Sequence, residues 1–176
     1  MLPGLLVGNV DLVVGRLPEI QEVEGVEPEV LYYEPVAIVA CTGHPLAQHP
    51  NLTLQDLVNE QWILPSPGTT LRREIDNAFH KSGLPVPSNV IESVSILTNR
   101  TLLMETDMIA AMPYQVIRTY EEIGLLCQLP VTLKADAGPV GVSTRSNTQL
   151  TPAANYLLEL LREVGAEMQA RQPAVV

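Results

Sequence analysis

A strand, a loop and a helix follow one another in residues 61–79, whose sequence is QWILPSPGTTLRREIDNAF. The apolar run 61–64 predicts a short buried strand, and the run 65–70, rich in proline, glycine and hydroxyl side chains, predicts a loop. The apolar side chains that follow recur at helical spacing and predict a helix that ends before Gly83 and Pro85: Leu71, Ile75, Ala78 and Phe79.

The same alternation continues on both sides of this stretch. Short apolar runs predict further strands at 11–15, 35–41, 90–91, 108–112, 125–129 and 140–144. Helices are predicted over 53–58 from a capping box, after an N-cap at Ser93 with Ile96, Leu97, Leu103 and Met104 at helical positions, from Pro113 toward Gly124, and after Thr151 and Pro152. Strands alternating with helices indicate an α/β protein, and we expect a mainly parallel sheet covered on both faces.

Composition restricts the function. The chain has 176 residues, of which 46% are hydrophobic, and this is typical of a globular protein. Its formal net charge of -10 repels phosphate backbones and anionic lipid, so we do not expect the chain alone to bind nucleic acid or a membrane. Many of the acidic residues cluster within 19–34. No stretch of about 18 apolar residues is present, and the apolar start has no basic flank, which argues against secretion.

Three predicted junctions between a strand and a helix are candidate binding sites: 66–70, 92–95 and 112–114. Ligands of open α/β sheets bind at the carboxyl ends of strands, where helix N-termini present free N–H groups. The first junction combines Ser66, Gly68, Thr69 and Thr70 with two arginines in the next turn, and it suits a carboxylate or a polyhydroxyl ligand. The alternative interpretation of this loop is a solvated turn with an ordinary helix cap.

No residue pattern predicts catalysis, a metal or a cofactor. His44, His49 and His80 lack the spacing of zinc ligands, and no nucleophile elbow or phosphate-binding glycine loop is present. Cys41 and Cys127 are too few for a disulfide framework and fit a reducing cytoplasm. We interpret them as structural thiols, and the alternative is a pair that senses oxidants.

Several segments together resemble the effector-binding domain of LysR-type transcriptional regulators. They are LLVGNVDLVVGRLP at 5–18, HPLA at 44–47, Leu54 with Asp56 and Leu57, and AAMP at 110–113. The run 14–18, VGRLP, is similar to the branch of the family that includes galactose-binding-protein regulators. The resemblance runs from the first residue to the last predicted helix.

The resemblance implies a two-lobed fold like type-2 periplasmic binding proteins, with an effector held between the lobes. Lobe I is expected at 1–40 and 131–176 and lobe II at 41–130. Lobe II would contribute the loop 66–70 and the turn Pro113–Tyr114, lobe I would contribute Arg16, and Ser93 joins them from the second junction. His44 is then a turn residue rather than a ligand. Glu92 would oppose a strongly anionic ligand unless it pairs with Arg16 or Arg72.

The chain departs from the family pattern in two ways. The winged helix-turn-helix and the leading strands of lobe I are absent, so lobe I is expected to be incomplete and DNA to be bound only through a domain not present here. The function we predict is effector sensing and oligomerisation within a cytoplasmic regulator, with a sugar, a sugar acid or an aromatic carboxylate as effector and a homo-oligomer as the assembly. A solute-binding protein of the same architecture without a regulatory role and an enzyme on a related fold are the alternatives.

Overall fold

The computed structural model describes residues 2–17, 23–131, 133 and 138–171. The chain divides into two compact units, Met1–Glu34 with Ala137–Val176, and Pro35–Asp136. The boundaries in the structure thus fall at 34/35 and 136/137, and the boundaries expected from the sequence were at 40/41 and 130/131.

Strands and helices alternate between Trp62 and Gln128, as the sequence predicted, but not before or after this stretch. In chain order they are α1 (Leu2–Leu6), β1 (Leu12–Arg16), β2 (Val26–Glu34), β3 (Val36–Cys41), β4 (Trp62–Leu64), α2 (Thr70–Lys81), β5 (Val90–Glu92), α3 (Ile96–Glu105), β6 (Ile109–Pro113), α4 (Tyr114–Glu122), β7 (Leu126–Gln128), β8 (Gly138–Arg145) and α5 (Pro152–Ala170). A short 3-10 helix, Pro45–Gln48, lies between β3 and β4.

The first unit is a three-stranded antiparallel sheet with the order β1-β8-β2. The sequence did not predict β2, because Glu27, Pro28 and Glu29 interrupt its apolar residues, and β8 supplies the backbone partner from far along the chain. Helix α5 packs on β2, where Gly165 allows close approach, since a Cβ there would lie 2.9 Å from Cβ of Leu31. The predicted cap and first residue of α5, Thr151 and Pro152, are confirmed.

The second unit holds a five-stranded sheet with the order β5-β4-β6-β3-β7. Strand β4 is parallel to β5 and to β6, whereas β3 is antiparallel to β6 and to β7. The expectation of a mainly parallel sheet was therefore wrong. Parallel neighbours need a crossover, which α2 and α3 provide for β4, β5 and β6, whereas β3 enters the sheet at its other end in the opposite direction.

Apolar side chains cover both faces of this second sheet. On one face Trp62 packs edge-to-face on Phe79, with ring centroids 5.8 Å apart, and its Nε1 donates to the carbonyl oxygen of Leu57 at 2.8 Å. The next residue, Ile63, belongs to the cluster on the other face with Leu103. Burial on both faces explains why the strands of this sheet show continuous apolar runs instead of alternation.

Two local predictions were wrong. Residues 53–58 form consecutive turns, in which the backbone N–H of residue i+3 donates to the carbonyl oxygen of residue i, and not a helix. The predicted contact between Thr53 and Asp56 is present, since the backbone N–H and the hydroxyl of Thr53 donate to the carboxylate of Asp56 at 2.9 and 2.7 Å. The segment has fewer than two helical turns, which is too short for propagation to offset nucleation. The N-cap of α3 is Ser95 rather than Ser93, because β5 extends as far as Glu92.

His44 occupies the turn that leads into the 3-10 helix. Its Nδ1 accepts from the backbone N–H of Leu46 at 3.2 Å, so its Nε2 carries the proton and donates to the carbonyl oxygen of Asp107 at 3.2 Å. The ring is 4% exposed and both nitrogens are bonded, as expected for a turn residue.

None of the helices in the described residues is long and apolar enough to cross a membrane.

Candidate functional site

Three strands of the second unit end at the same edge of the sheet. Strands β4, β5 and β6 are parallel neighbours, so the loops after Leu64, Glu92 and Met112 lie side by side. The backbone N–H of Ser93 donates to the carbonyl oxygen of Leu64 at 2.9 Å and joins the first two loops. The structure therefore brings together the three junctions that the sequence marked as candidate binding sites.

The loop after β4 is held by the hydroxyl of Thr69. This hydroxyl donates to the carbonyl oxygen of Ser66 at 3.0 Å and accepts from the backbone N–H of Arg72 at 3.2 Å, which makes Thr69 the N-cap of α2. Gly68 has a φ of 84°, a left-handed conformation that favours glycine. Thr70 is the first residue of α2. The alternative interpretation of this loop was an ordinary helix cap, and Thr69 does cap α2.

The other two junctions begin α3 and α4. Ser95 caps α3 by accepting from the backbone N–H of Thr98 at 3.3 Å, and the hydroxyl of Ser93 accepts from the N–H of Ser95 at 3.3 Å. Pro113 precedes α4 without a side-chain cap, and the N–H of Tyr114 donates to the carbonyl oxygen of Pro35 at 3.0 Å. Three helix N-termini thus lie at the edge where the three strands end.

A cavity of about 250 Å³ lies among these junctions. We call it the strand-end cavity. Its polar lining consists of Thr69, Ser93 and Asn99, and the remaining lining residues are apolar: Pro65, Leu71, Val94, Ile96, Ala111, Met112, Pro113 and Val116. The lining thus offers a mostly apolar surface with a few neutral polar groups, which is typical of small-molecule sites.

Within the described part of the chain, no charged side chain lines the strand-end cavity. Arg72 lies close by, but its Nε donates to Asp76 at 2.8 Å and its Nη1 to the carbonyl oxygen of Pro65 at 3.1 Å. Glu92 is exposed at the end of β5, and Arg72 pairs with Asp76 instead of with it. The dipoles of α2, α3 and α4 favour negative charge at their N-termini, which lie beside the cavity.

The sequence-predicted residues fall into three groups. Thr69, Ser93 and Pro113 line the strand-end cavity. Ser66, Gly68 and Thr70 lie in the loop or the first turn beside it, and Tyr114 packs against the apolar cluster around Leu103. Arg16 belongs to the first unit, where its guanidinium donates to the carbonyl oxygen of Glu34 at 3.1 Å. Contact of each residue with an effector stays a prediction.

Sequence reasoning missed Asn99. This side chain lies on α3, is 8% exposed and lines the strand-end cavity. Of the residues predicted to form the apolar face of α3, Leu103 is buried, whereas Ile96, Leu97 and Met104 are 45%, 70% and 40% exposed. The sequence did contain one indication that Asn99 is buried: it lies four residues before Leu103 and therefore on the same face of the helix.

The two cysteines lie on adjacent strands but on opposite faces of the sheet. Cys127 is paired with Ala40 and Cys41 with Leu126, and directly opposite residues of a strand pair point to the same face. The thiol of Cys127 lies 3.4 Å from the carbonyl oxygen of Cys41. Burial raises the pKa of the Cys127 thiol, and Cys41 and Glu121 raise it further. The placement on opposite faces and the raised pKa of Cys127 both favour structural thiols.

An open α/β sheet with helix N-termini around an apolar cavity at its carboxyl edge is typical of ligand-binding domains. Comparison with known families makes this class more specific. The model of the LysR substrate binding domain matches residues 1–166, and the chain belongs to this family. The two-lobed fold class predicted from the sequence is thereby confirmed, since structural neighbours are LysR regulatory domains of the type-2 periplasmic-binding-protein kind.

Known relatives are transcription regulators. The chain is similar to the HTH-type transcriptional regulator GalR of Pseudomonas putida, with 35% identity over 163 residues, covering 93% of this chain and 41% of that regulator. It is also similar to the HTH-type transcriptional regulator PcaQ of Agrobacterium fabrum, with 33% identity over 169 residues, 96% of this chain and 54% of that regulator. The chain thus spans about half the length of these relatives.

A solved structure shows the same fold. The regulatory domain of Synechocystis PCC6803 CcmR, in complex with 2-PG, matches 94% of this chain and 78% of that chain with a TM-score of 0.76. The two sequences are 20% identical, so this likeness describes the fold.

Proposed function

We propose that this domain senses a small organic acid in the strand-end cavity and, as part of a cytoplasmic transcription regulator, controls DNA binding by a linked helix-turn-helix domain. The observation that carries the proposal is the convergence of three helix N-termini on one apolar cavity. A ligand that binds one arrangement of the domain better than another shifts the population of the linked DNA-binding arrangements. The family of the chain and the names of its relatives support the regulatory role over transport or catalysis.

Among the effector classes considered from the sequence, the lining favours an aromatic carboxylate. Side chains such as Val94, Ile96 and Met112 suit the faces of a ring, whereas a sugar would leave most of its hydroxyls without partners there. A carboxylate at the mouth would accept hydrogen bonds from the free N–H groups of the helix N-termini. The volume of about 250 Å³ lies just below the roughly 300 to 1,000 Å³ of drug-sized sites and suits a single ring.

Thermal-shift and calorimetric titrations of the 176-residue chain with benzoate, gluconate and glucose test this proposal. We expect benzoate to raise the melting temperature and to bind more tightly than the other two probes. Binding of glucose or gluconate in preference to benzoate would instead indicate a polyhydroxyl effector. Absence of binding by all three probes would contradict the assignment of the effector class.

A matched pair of variants locates the site. Val94 lines the strand-end cavity and Leu97 does not, but both side chains are 70% exposed. Val94→Trp places a large ring at the cavity, so we expect it to weaken benzoate binding at least tenfold without loss of stability. Leu97→Trp makes a similar change outside the cavity and should leave the affinity unchanged. Equal affinities in the two variants would place the ligand elsewhere.

Self-association is the second part of the proposal. Helix α5 buries one face, which includes Leu158 and Gly165, and exposes a row of apolar side chains on its other side: Tyr156, Leu157, Leu160 and Val164. A contiguous apolar surface on a helix favours association with another chain.

Control of DNA binding also requires a DNA-binding segment, so sequencing upstream of the Met1 codon should find a helix-turn-helix in frame.

A further inference from the structure

Asn99 carries a polar atom that the fold leaves unbonded. Its Oδ1 is buried and has no hydrogen-bond partner within the residues that the structure describes. The residue is 8% exposed and lines the strand-end cavity from the first turns of α3. Buried amide groups in folded proteins almost always have a partner, so an unbonded one at the wall of a cavity points to a ligand.

The position of Asn99 explains why the protein itself does not supply the partner. Its backbone N–H is used in the helix, where it donates to the carbonyl oxygen of Ser95 at 2.9 Å. The other polar groups of the lining are engaged in capping: Thr69 bonds Ser66 and Arg72, and Ser93 bonds the N–H of Ser95. The remaining lining residues have apolar side chains, which offer no donor.

We infer that Asn99 recognises a hydroxyl group of the effector and thereby selects a ring-substituted hydroxy acid over the unsubstituted acid. This inference rests on the proposed function, since it names the chemistry of a ligand in the same cavity. A hydroxyl suits the amide in either orientation of its side chain, because it donates to the amide oxygen or accepts from the amide nitrogen. A second carboxylate is disfavoured because none of the described residues that line the cavity is cationic and could compensate its charge.

We expect Asn99 to discriminate clearly between the hydroxy acid and the same acid without its hydroxyl. A site that holds a polar group for a substrate hydroxyl rejects the analogue without it, because the polar group of the protein then stays buried and unbonded. Thr69 and Ser93 already have partners, so the presence or absence of the hydroxyl should affect Asn99 most.

Calorimetric titration of the 176-residue chain with benzoate and its three monohydroxy derivatives tests the inference. We expect at least one hydroxybenzoate to bind about tenfold more tightly than benzoate, the effect of one hydrogen bond. In Asn99→Leu, which has a similar shape without the amide, this preference should fall below about twofold. Asn77→Leu is the matched control, because Asn77 is exposed on α2 outside the cavity, and it should keep the preference.

The stability of the ligand-free variant gives a second measurement. Removing a buried polar atom that has no partner is neutral or stabilising, so Asn99→Leu should melt at or above the temperature of the wild type. A clear fall in the melting temperature, or failure to fold, would show that the amide is bonded within the protein and would overturn the inference.

The titrations separate two kinds of failure. If benzoate binds and no hydroxybenzoate binds better, or if Asn99→Leu keeps the preference, the role of Asn99 is refuted and the proposed function stands. If none of the four acids binds to the wild-type protein, the assignment of an aromatic acid to this cavity is refuted, and the inference falls with it.

Discussion

Replacement of Thr69 by alanine should destabilise the second unit by loss of the N-cap of α2. The change removes the acceptor for the N–H of Arg72 and the donor to the carbonyl oxygen of Ser66. Loss of a threonine N-cap costs about 1 kcal/mol, within a range of about 0.5 to 2 kcal/mol. For a chain of 176 residues this corresponds to a fall in melting temperature of about 2 to 4 °C.

Differential scanning calorimetry measures this change, and Thr69→Ser is the control because serine keeps a hydroxyl that can cap. We expect Thr69→Ser to melt close to the wild-type temperature. If Thr69→Ala melts at the same temperature as the wild type, the two hydrogen bonds contribute nothing and the argument from capping is refuted.

The effect of the loop 66–70 on ligand binding is measured in a separate experiment. The double change Thr69→Ala with Thr70→Ala should weaken benzoate binding by about 1 to 3 kcal/mol, or about 5- to 150-fold, if these hydroxyls bond the ligand. Unchanged affinity would remove the loop 66–70 from the binding site while leaving its capping role intact.

Further predictions concern the thiols, the surface ion pair and association. Cys41 and Cys127 should not form an intramolecular disulfide after mild peroxide treatment, because they face opposite sides of the sheet, and a rapid, reversible disulfide in a thiol assay would identify an oxidant sensor instead. A bidentate hydrogen bond from Arg162, at 2.6 and 2.8 Å, holds the pKa of Glu29 below its ordinary value of 4.5. This pair stabilises the fold above about pH 4.5 and the effect is lost as the pH falls through the lowered pKa, so Arg162→Gln should melt slightly earlier than the wild type at pH 7, and an equal difference at pH 3 would contradict this. Light scattering should show self-association of the chain, which Leu160→Glu on the exposed face of α5 should reduce, and a monomer at all concentrations would refute the association.

Much of the candidate site followed from local sequence. The three junctions at 66–70, 92–95 and 112–114 were identified because each follows an apolar run and precedes a helical pattern. Their convergence required that β4, β5 and β6 be parallel neighbours, which the intervening helices made possible. Asn99 was not identified, since no local motif distinguishes a buried asparagine from an exposed one.

The sequence by itself determined the elements whose signals lie within a few residues: the strand and helix of 61–79 and the capped start of α5 at Thr151. Capping, proline position and hydrophobic spacing act locally and do not depend on the rest of the chain. Tertiary structure alone decided that an acidic segment forms β2, because its hydrogen bonds go to β8, more than a hundred residues away. It also decided the direction of β3 and the burial of Asn99, since strand pairing and burial depend on contacts between segments that are distant in sequence.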